Sequence, residues 1–215
     1  MSVTCHTRII LMRHGTPIKK KNESGQDVLY GPDANLSAKG RDESILTTAK
    51  LPSIDLIYSS SLRRAYDTAG AVAYAKGLKT EDIVKVEELQ DIAFPSGVGQ
   101  PIDKVVRGEI PIGENDETTE MMAARVITAF KQILSESYGK TRLVVAHGHV
   151  IRLIILQYID GIMEIPQSLD SYATTNYLNP GEAWILEFDE NNTIIKNSCR
   201  MVTHPWNETP GFRRF

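Results

Sequence analysis

Two short apolar runs in this chain each stop at a histidine followed by glycine. Ile9–Ile10–Leu11–Met12 leads through Arg13 into His14–Gly15, and Leu143–Val144–Val145–Ala146 leads directly into His147–Gly148. Both runs are short, rich in β-branched residues and almost continuous. That pattern fits a strand buried on both faces of a parallel sheet. Between and around them the period changes to that of helices. Ser37 reads as a helix start, with the helix reaching about Lys50 before Pro52. Asp55–Tyr58 reads as a further strand, and Ser60 or Ser61 as the cap of the next helix. In that helix Leu62, Ala65, Tyr66, Ala69, Val72 and Ala73 recur at helical spacing, with Gly77 at the C-terminal cap position. Ile83–Val86 is another strand. Thr118 or Thr119 opens a helix with Met122, Val126, Ala129, Phe130 and Ile133 on one face, and Val150 to Tyr158 forms a last one.

Alternating strands and helices imply a three-layer α/β/α sandwich with a mainly parallel sheet. Ala183–Phe188 and Thr193–Asn197 flank Asp189–Glu190–Asn191–Asn192, which signals an antiparallel hairpin at the sheet edge. Residues 15–35 read as a long loop carrying the Lys19–Lys20–Lys21 run. Residues 91–116 hold three prolines and four glycines without a clear period, and read as a loop-rich insertion over the sheet. The whole of 1–215 reads as one domain. In such sheets ligands bind beyond the carboxyl ends of the strands. There His14, Ser59–Ser60 and His147 each follow an apolar run, and Arg64 lies one turn into a helix. Three strands thus bring phosphate-competent groups to one edge.

Composition narrows the function classes. A net charge of −3 gives no reason to expect nucleic acid or an anionic membrane as partner. Cys5 and Cys199 have no CxxC spacing and read as free thiols of a reducing compartment. The Ile9–Met12 and Val150–Leu156 runs are too short for a signal core or a membrane span. A cytoplasmic protein is expected. His147 and His149 are two residues apart, but zinc would need a third ligand and none is evident. His149 therefore reads as a loop or helix-start residue, and His6 and His204 as surface residues. Lys19–Lys21 reads as a solvated run or as a guide for anionic substrates.

At this point a family becomes recognisable. Leu11–Met12–Arg13–His14–Gly15 resembles the RHG signature of the histidine phosphatase superfamily, the phosphoglycerate-mutase-like proteins. Leu36–Ser37–Ala38–Lys39–Gly40–Arg41 looks like the family's L-[ST]-x-x-G-R start of its first helix. Ser60–Ala65 with Thr68–Ala69 looks like its S-x-L-x-R-A-x-x-T-A segment. Leu89–Phe94 sits where the family has L-x-E, and Val144–Gly148 is similar to the second-histidine motif. The resemblance implies a phosphatase that needs no metal and no cofactor and acts on a small phosphorylated metabolite. His14 would be the nucleophile; Arg13, Arg64 and His147 would bind phosphate; Asp91 would be the proton donor.

The chemistry accounts for these residue types. A neutral imidazole can attack an anionic phosphate ester in line and form a phosphohistidine. Planar guanidinium forks suit phosphate oxygens. A protonated His147 would add a third cation. A carboxylic acid must protonate the leaving alkoxide and its conjugate base then activate water. The chain departs from the family at the acid, with Asp91 for the usual Glu and Pro95 where a glycine is usual; Glu88 is the rival acid. Only 55 residues separate Asp91 from His147, which by family resemblance favours a phosphatase over a mutase. The Asp91 departure also leaves a non-catalytic phospholigand sensor as a reading. Substrate choice would lie with residues 17–35, 92–116, 160–180 and the C-terminal tail, which carry no readable motif. The edge hairpin leaves a homodimer open.

Overall fold

The computed structural model describes residues 7–162 and 178–207. Cys5, His6, the tail from 208 and residues 163–177 of the 160–180 region lie outside the described residues. Strands β1 (Thr7–Arg13), β4 (Leu56–Ser60), β5 (Val84–Val86), β6 (Thr141–Ala146), β7 (Ala183–Phe188) and β8 (Arg200–Val202) form one sheet in the order β5-β4-β6-β1-β7-β8. The first four of these are mutually parallel, while β7 runs antiparallel to β1 and to β8. Four principal helices accompany the sheet: α1 (Ala38–Thr48), α2 (Arg63–Lys76), α4 (Thr119–Ser135) and α5 (Gly148–Ile155). The short α3 (Ile102–Val106) lies in the 91–116 insertion.

The near-continuous apolar strands are explained by their two faces. Along β1, Ile9 and Leu11 join Val144 and Ala146 in a core filled by Met122, Val126 and Phe130 of α4 and Val150 and Ile154 of α5. Ile10 and Met12 point the other way, with Leu143 and Val145, onto Ala65, Ala69, Val72 and Ala73 of α2. Every one of these residues is buried. Alternation along a strand sends successive side chains to opposite faces, so a strand covered on both faces must be apolar throughout.

Helix starts and stops follow their chemistry. Ser37 caps α1 by accepting from the Gly40 amide, and Thr118 caps α4 by accepting from the Met121 amide. Gly77 ends α2 with φ 68°, a left-handed conformation that glycine adopts without steric cost. The start of α2 differs from expectation. Leu62, not Ser60 or Ser61, holds the N-cap position and makes no side-chain cap. Ser60 is turned inward, and Ser61 Oγ donates to Glu87 Oε2 at 2.7 Å. Helix α5 begins at Gly148, two residues before Val150, and continues as a π-helical turn over Leu156–Asp160.

The expected edge hairpin also needs correction. β7 is as read, but beyond the turn only the Phe188–Ile194 bridge forms, and the edge strand is Arg200–Val202. The Ile195 amide bonds to Glu187 O across that bridge, and a 3₁₀ turn at Lys196–Ser198 then ends the pairing. Within the 15–35 loop, β2 (Lys20–Lys21) and β3 (Asp27–Val28) form a small ribbon closed by Lys19–Asp27 at 2.6 Å. No described helix is long and apolar enough to cross a membrane.

One backbone contact positions the site. A Cβ on Gly40 would lie 2.3 Å from Thr16 O and 2.6 Å from Thr16 N, because α1 packs directly on the chain following His14. Gly70, on α2, faces open space. Gly40→Ala should therefore destabilise by about 1–3 kcal/mol through overpacking. Gly70→Ala should stabilise by about 0.5–1 kcal/mol through helix propensity. Urea unfolding midpoints of the two variants check the opposite signs.

Candidate active site

Register brings the site residues together. β1 and β6 pair in parallel with Arg13 opposite Ala146, and the His14 amide donates to Ala146 O at 2.9 Å. β4 lies on the other side of β6, with Ser59 opposite Val145. The residues that end these strands, His14, His147 and Ser60, therefore emerge at one edge. All three are buried, His14 at 2% exposure and the other two at 0%. The rings of His14 and His147 lie 5.1 Å apart, tilted by 59°.

His14 is held in one tautomer. Its Nδ1 lies 2.8 Å from the carbonyl of Gly15, so Nδ1 carries the proton and donates it there. Nε2 is left with its lone pair and accepts from Arg64 Nε at 3.3 Å. Burial, then the electrostatic effects of His147, Arg64 and Arg13, hold the His14 pKa well below its ordinary value, against the Gly15 hydrogen bond that raises it. The ring is neutral at physiological pH. The Gly15 amide is fixed in turn by Thr68 Oγ1 at 3.1 Å, and Thr68 donates to Arg64 O at 2.8 Å. One threonine thus couples the His14 loop to the helix carrying Arg64.

The expected cations converge. Arg64 is buried, and its Nη1 has no hydrogen-bond partner among the described residues. Its guanidinium also lies 5.2 Å from the centre of the Tyr30 ring. Arg13 donates through Nη1 to Leu178 O at 2.8 Å and acts electrostatically on both histidines. Arg63 is exposed and pairs with Asp67 one turn along the helix. His147 Nε2 lies 2.9 Å from Ser60 Oγ, while Nδ1 has no hydrogen-bond partner among the described residues. Burial pushes the His147 pKa down to about 3, opposed by Asp91 and reinforced by Arg64 and Arg13. His147 is therefore neutral here, so the third cation that its protonation would supply is absent until an anion raises its pKa. Placing a third positive charge beside two guanidiniums in a desolvated site is unfavourable even with the Asp91 carboxylate nearby.

Asp91 lies among these groups and Glu88 does not. Asp91 Oδ2 is 3.4 Å from Arg64 Nη2 and 3.7 Å from His147 Nδ1, while Glu88 is exposed. Burial raises the Asp91 pKa, but His147, the His149 hydrogen bond and Arg64 outweigh it and hold the carboxyl well below its ordinary range. By sequence His149 reads as a loop or helix-start residue. It occupies the first turn of α5, and its Nδ1 lies 3.1 Å from Asp91 Oδ1. No spacing rule links residues 58 positions apart, so only the fold discloses this contact. His204, expected at the surface, is 1% exposed, with Nε2 3.1 Å from Pro180 O. It supports the turn whose Gly181 amide bonds the carbonyls of Arg13 and His14. Among the described residues no group of three His, Cys, Asp or Glu side chains is arranged to hold a metal.

Two buried histidines that stay neutral when folded but protonate when unfolded make stability depend on pH. Both pKa values are depressed on folding, so this contribution is fully present above the ordinary histidine value of 6.5 and is lost as pH falls below it. For His147 the loss levels off near pH 3. Each such proton adds a slope of about 1.4 kcal/mol per pH unit. Urea unfolding free energies should fall from pH 7 to pH 5, and the fall should be shallower in a His14→Asn, His147→Asn double variant.

Comparison with known proteins gives the family and the fold. Residues 9–195 match the model of the histidine phosphatase superfamily, branch 1. The chain is 24% identical over 198 residues to phosphoglycerate mutase-like protein 4 of Arabidopsis thaliana, covering 85% of this chain and 84% of that protein. It is 26% identical over 168 residues to a metal-independent phosphoserine phosphatase of the same plant, covering 70% and 68%. In fold it is similar to a mycobacterial glucosyl-3-phosphoglycerate phosphatase, with a TM-score of 0.67 at 18% identity over 92% of this chain and 97% of that one. With its motifs in order across the matched residues, the chain belongs to the histidine phosphatase superfamily.

Proposed function

We propose that this protein is a metal-independent phosphomonoesterase that hydrolyses a small phosphorylated metabolite through a phosphohistidine intermediate. The observation that carries the reading is the state of His14: neutral, with Nδ1–H committed to the Gly15 carbonyl and the Nε2 lone pair beside the Arg64 guanidinium. A buried imidazole held this way is a nucleophile next to a phosphate-binding fork. Arg64 Nη1 and His147 Nδ1, both buried and without a hydrogen-bond partner among the described residues, suit the oxygens of a phosphoryl group when each carries its proton.

The reaction follows from these placements. The phosphoryl group of the ester sits against Arg13, Arg64 and His147. His14 Nε2 attacks phosphorus in line, and the bond from phosphorus to the ester oxygen breaks. Asp91 passes a proton to the departing oxygen. Its carboxylate then takes a proton from water, which attacks the phosphohistidine, frees His14 and releases inorganic phosphate. Asp91 is ionised while it pairs with Arg64 and His149. A phosphate dianion takes over the Arg64 fork and repels the carboxylate, which raises its pKa so that it can carry the proton. The same anion raises the His147 pKa and favours the imidazolium.

A phosphoglycerate mutase would use the same first step and return the phosphoryl group to its product. The short span between Asp91 and His147 supports hydrolysis instead. A sensor would have no need of a nucleophilic imidazole.

The test uses p-nitrophenyl phosphate and phenyl phosphate with EDTA present. Wild-type hydrolysis should persist in EDTA and be abolished in His14→Ala. Asp91→Asn should lower kcat/KM on phenyl phosphate by about 10²–10⁴-fold, and far less on the p-nitrophenyl ester, whose leaving group needs little acid help. Acid-labile label on the wild type but not on His14→Ala would mark the phosphohistidine. Turnover indifferent to His14 would overturn the reading.

A further inference from the structure

The acid stands on a segment with no regular structure of its own. Asp91 follows a 3₁₀ turn at Glu87–Leu89 and precedes another at Pro95–Gly97. Leu89, fully buried in the α4–α5 core, anchors one end. What fixes the rest is an arginine on α4. Arg125 Nη1 donates to Glu88 O at 2.6 Å and to Gln90 O at 2.8 Å, and Nη2 donates to Asp91 O at 3.2 Å. The other edge of the guanidinium forks onto Glu117, with Nε–Oε1 at 2.6 Å and Nη2–Oε2 at 2.7 Å. All five N–H groups of this arginine therefore have acceptors. Glu117 completes the arrangement from the far side: its Oε2 accepts from the Ala93 amide at 3.1 Å, and its own amide donates to Ala93 O at 2.8 Å. Backbone groups on both sides of Asp91 thus belong to one clamp. The ion pair is largely shielded, with Arg125 23% and Glu117 12% exposed.

We propose that Arg125, together with Glu117, is a positioning residue for proton transfer by Asp91. The inference rests on the phosphatase reading above and deepens it. An aspartate has one methylene with which to reach its partners, so the placement of its backbone decides where the carboxyl lies. The carboxyl must stand between Arg64, His147 and His149 to meet a departing oxygen. A clamp that holds the carbonyls at positions 88, 90 and 91 fixes that placement where no helix or strand does. Lysine has three donors on a single nitrogen and cannot reproduce a fork that serves three carbonyls and a carboxylate.

The experiment is a leaving-group comparison by kcat/KM, which reports the steps up to phosphoenzyme formation. Arg125→Gln should lower kcat/KM on phenyl phosphate by roughly tenfold to a hundredfold, the scale of a small misplacement of a catalytic group. On p-nitrophenyl phosphate it should fall by no more than about threefold, since little acid help is needed there. Glu117→Gln, the milder change, should move the same ratio in the same direction, and serves if Arg125→Gln does not fold. In an Asp91→Asn background, Arg125→Gln should cost less than about threefold more on phenyl phosphate, because a residue acting through Asp91 has nothing left to position. Equal losses on both esters, no loss on either, or losses that multiply with Asp91→Asn would overturn the proposal. Wild-type turnover that ignores His14 would overturn the phosphatase reading itself. A His14-dependent enzyme with an unchanged ester ratio in both clamp variants would overturn only the clamp.

Discussion

The hydrogen bond from His14 Nδ1 to the Gly15 carbonyl, 2.8 Å long, is the contact on which the candidate chemistry depends. It fixes which nitrogen keeps the proton and so which nitrogen presents a lone pair. A carbonyl can do this only if its own peptide is immobile, and the surrounding fold is arranged to that end. Thr68 holds the Gly15 amide, Glu43 holds both the amide and the hydroxyl of Thr16, and Gly181 donates to the His14 carbonyl. A Cβ on Gly15 would come within 2.1 Å of Gly40 O, so the loop and α1 meet backbone to backbone. These contacts come from α1, α2 and the turn before β7. The geometry of one imidazole is thus a property of three separate parts of the fold.

The same enclosure sets the electrostatics. Two histidines and Arg64 lie close together out of water with the half-buried Arg13 beside them, and the histidines meet this by staying neutral. Asp91 provides the balancing negative charge, shared with Arg64 and His149. A phosphate group supplies the same sign of charge with more acceptors, so its arrival redistributes these partners. Binding and proton placement are coupled through the Arg64 fork, which faces both Asp91 and His14.

Much of this was legible in the residues. An apolar strand buried on both faces announces itself by an unbroken run, and a polar residue where the run stops lies at the sheet edge. That reasoning places His14, His147 and Ser60 correctly. The family resemblance, and not the apolar pattern, points to Arg64 rather than Arg63 and to Asp91 rather than Glu88, and the fold sets these two beside the histidines. The misreadings share a cause. Ser60 looks like a helix cap, yet its hydroxyl faces His147. The second limb of the edge hairpin has the right residues after a good turn, yet β7 pairs with Arg200–Val202. His204 looks like a surface residue in a polar tail, yet it is buried under the Pro180 turn. In each case a local signal was satisfied or displaced by a partner far along the chain.

By itself the sequence determined the alternation of strands and helices, the doubly covered sheet and the identity of the groups at its carboxyl edge. These depend on the period of apolar residues and on short motifs, which act over a few residues. Tertiary structure alone decided which tautomer His14 adopts, that His147 is uncharged, that His149 touches Asp91 and that Arg125 grips the backbone beneath the acid. Those are matters of burial and of distances between groups tens of residues apart. Both arise only when the chain has closed, because desolvation and hydrogen-bond geometry belong to the packed arrangement and not to any segment of it.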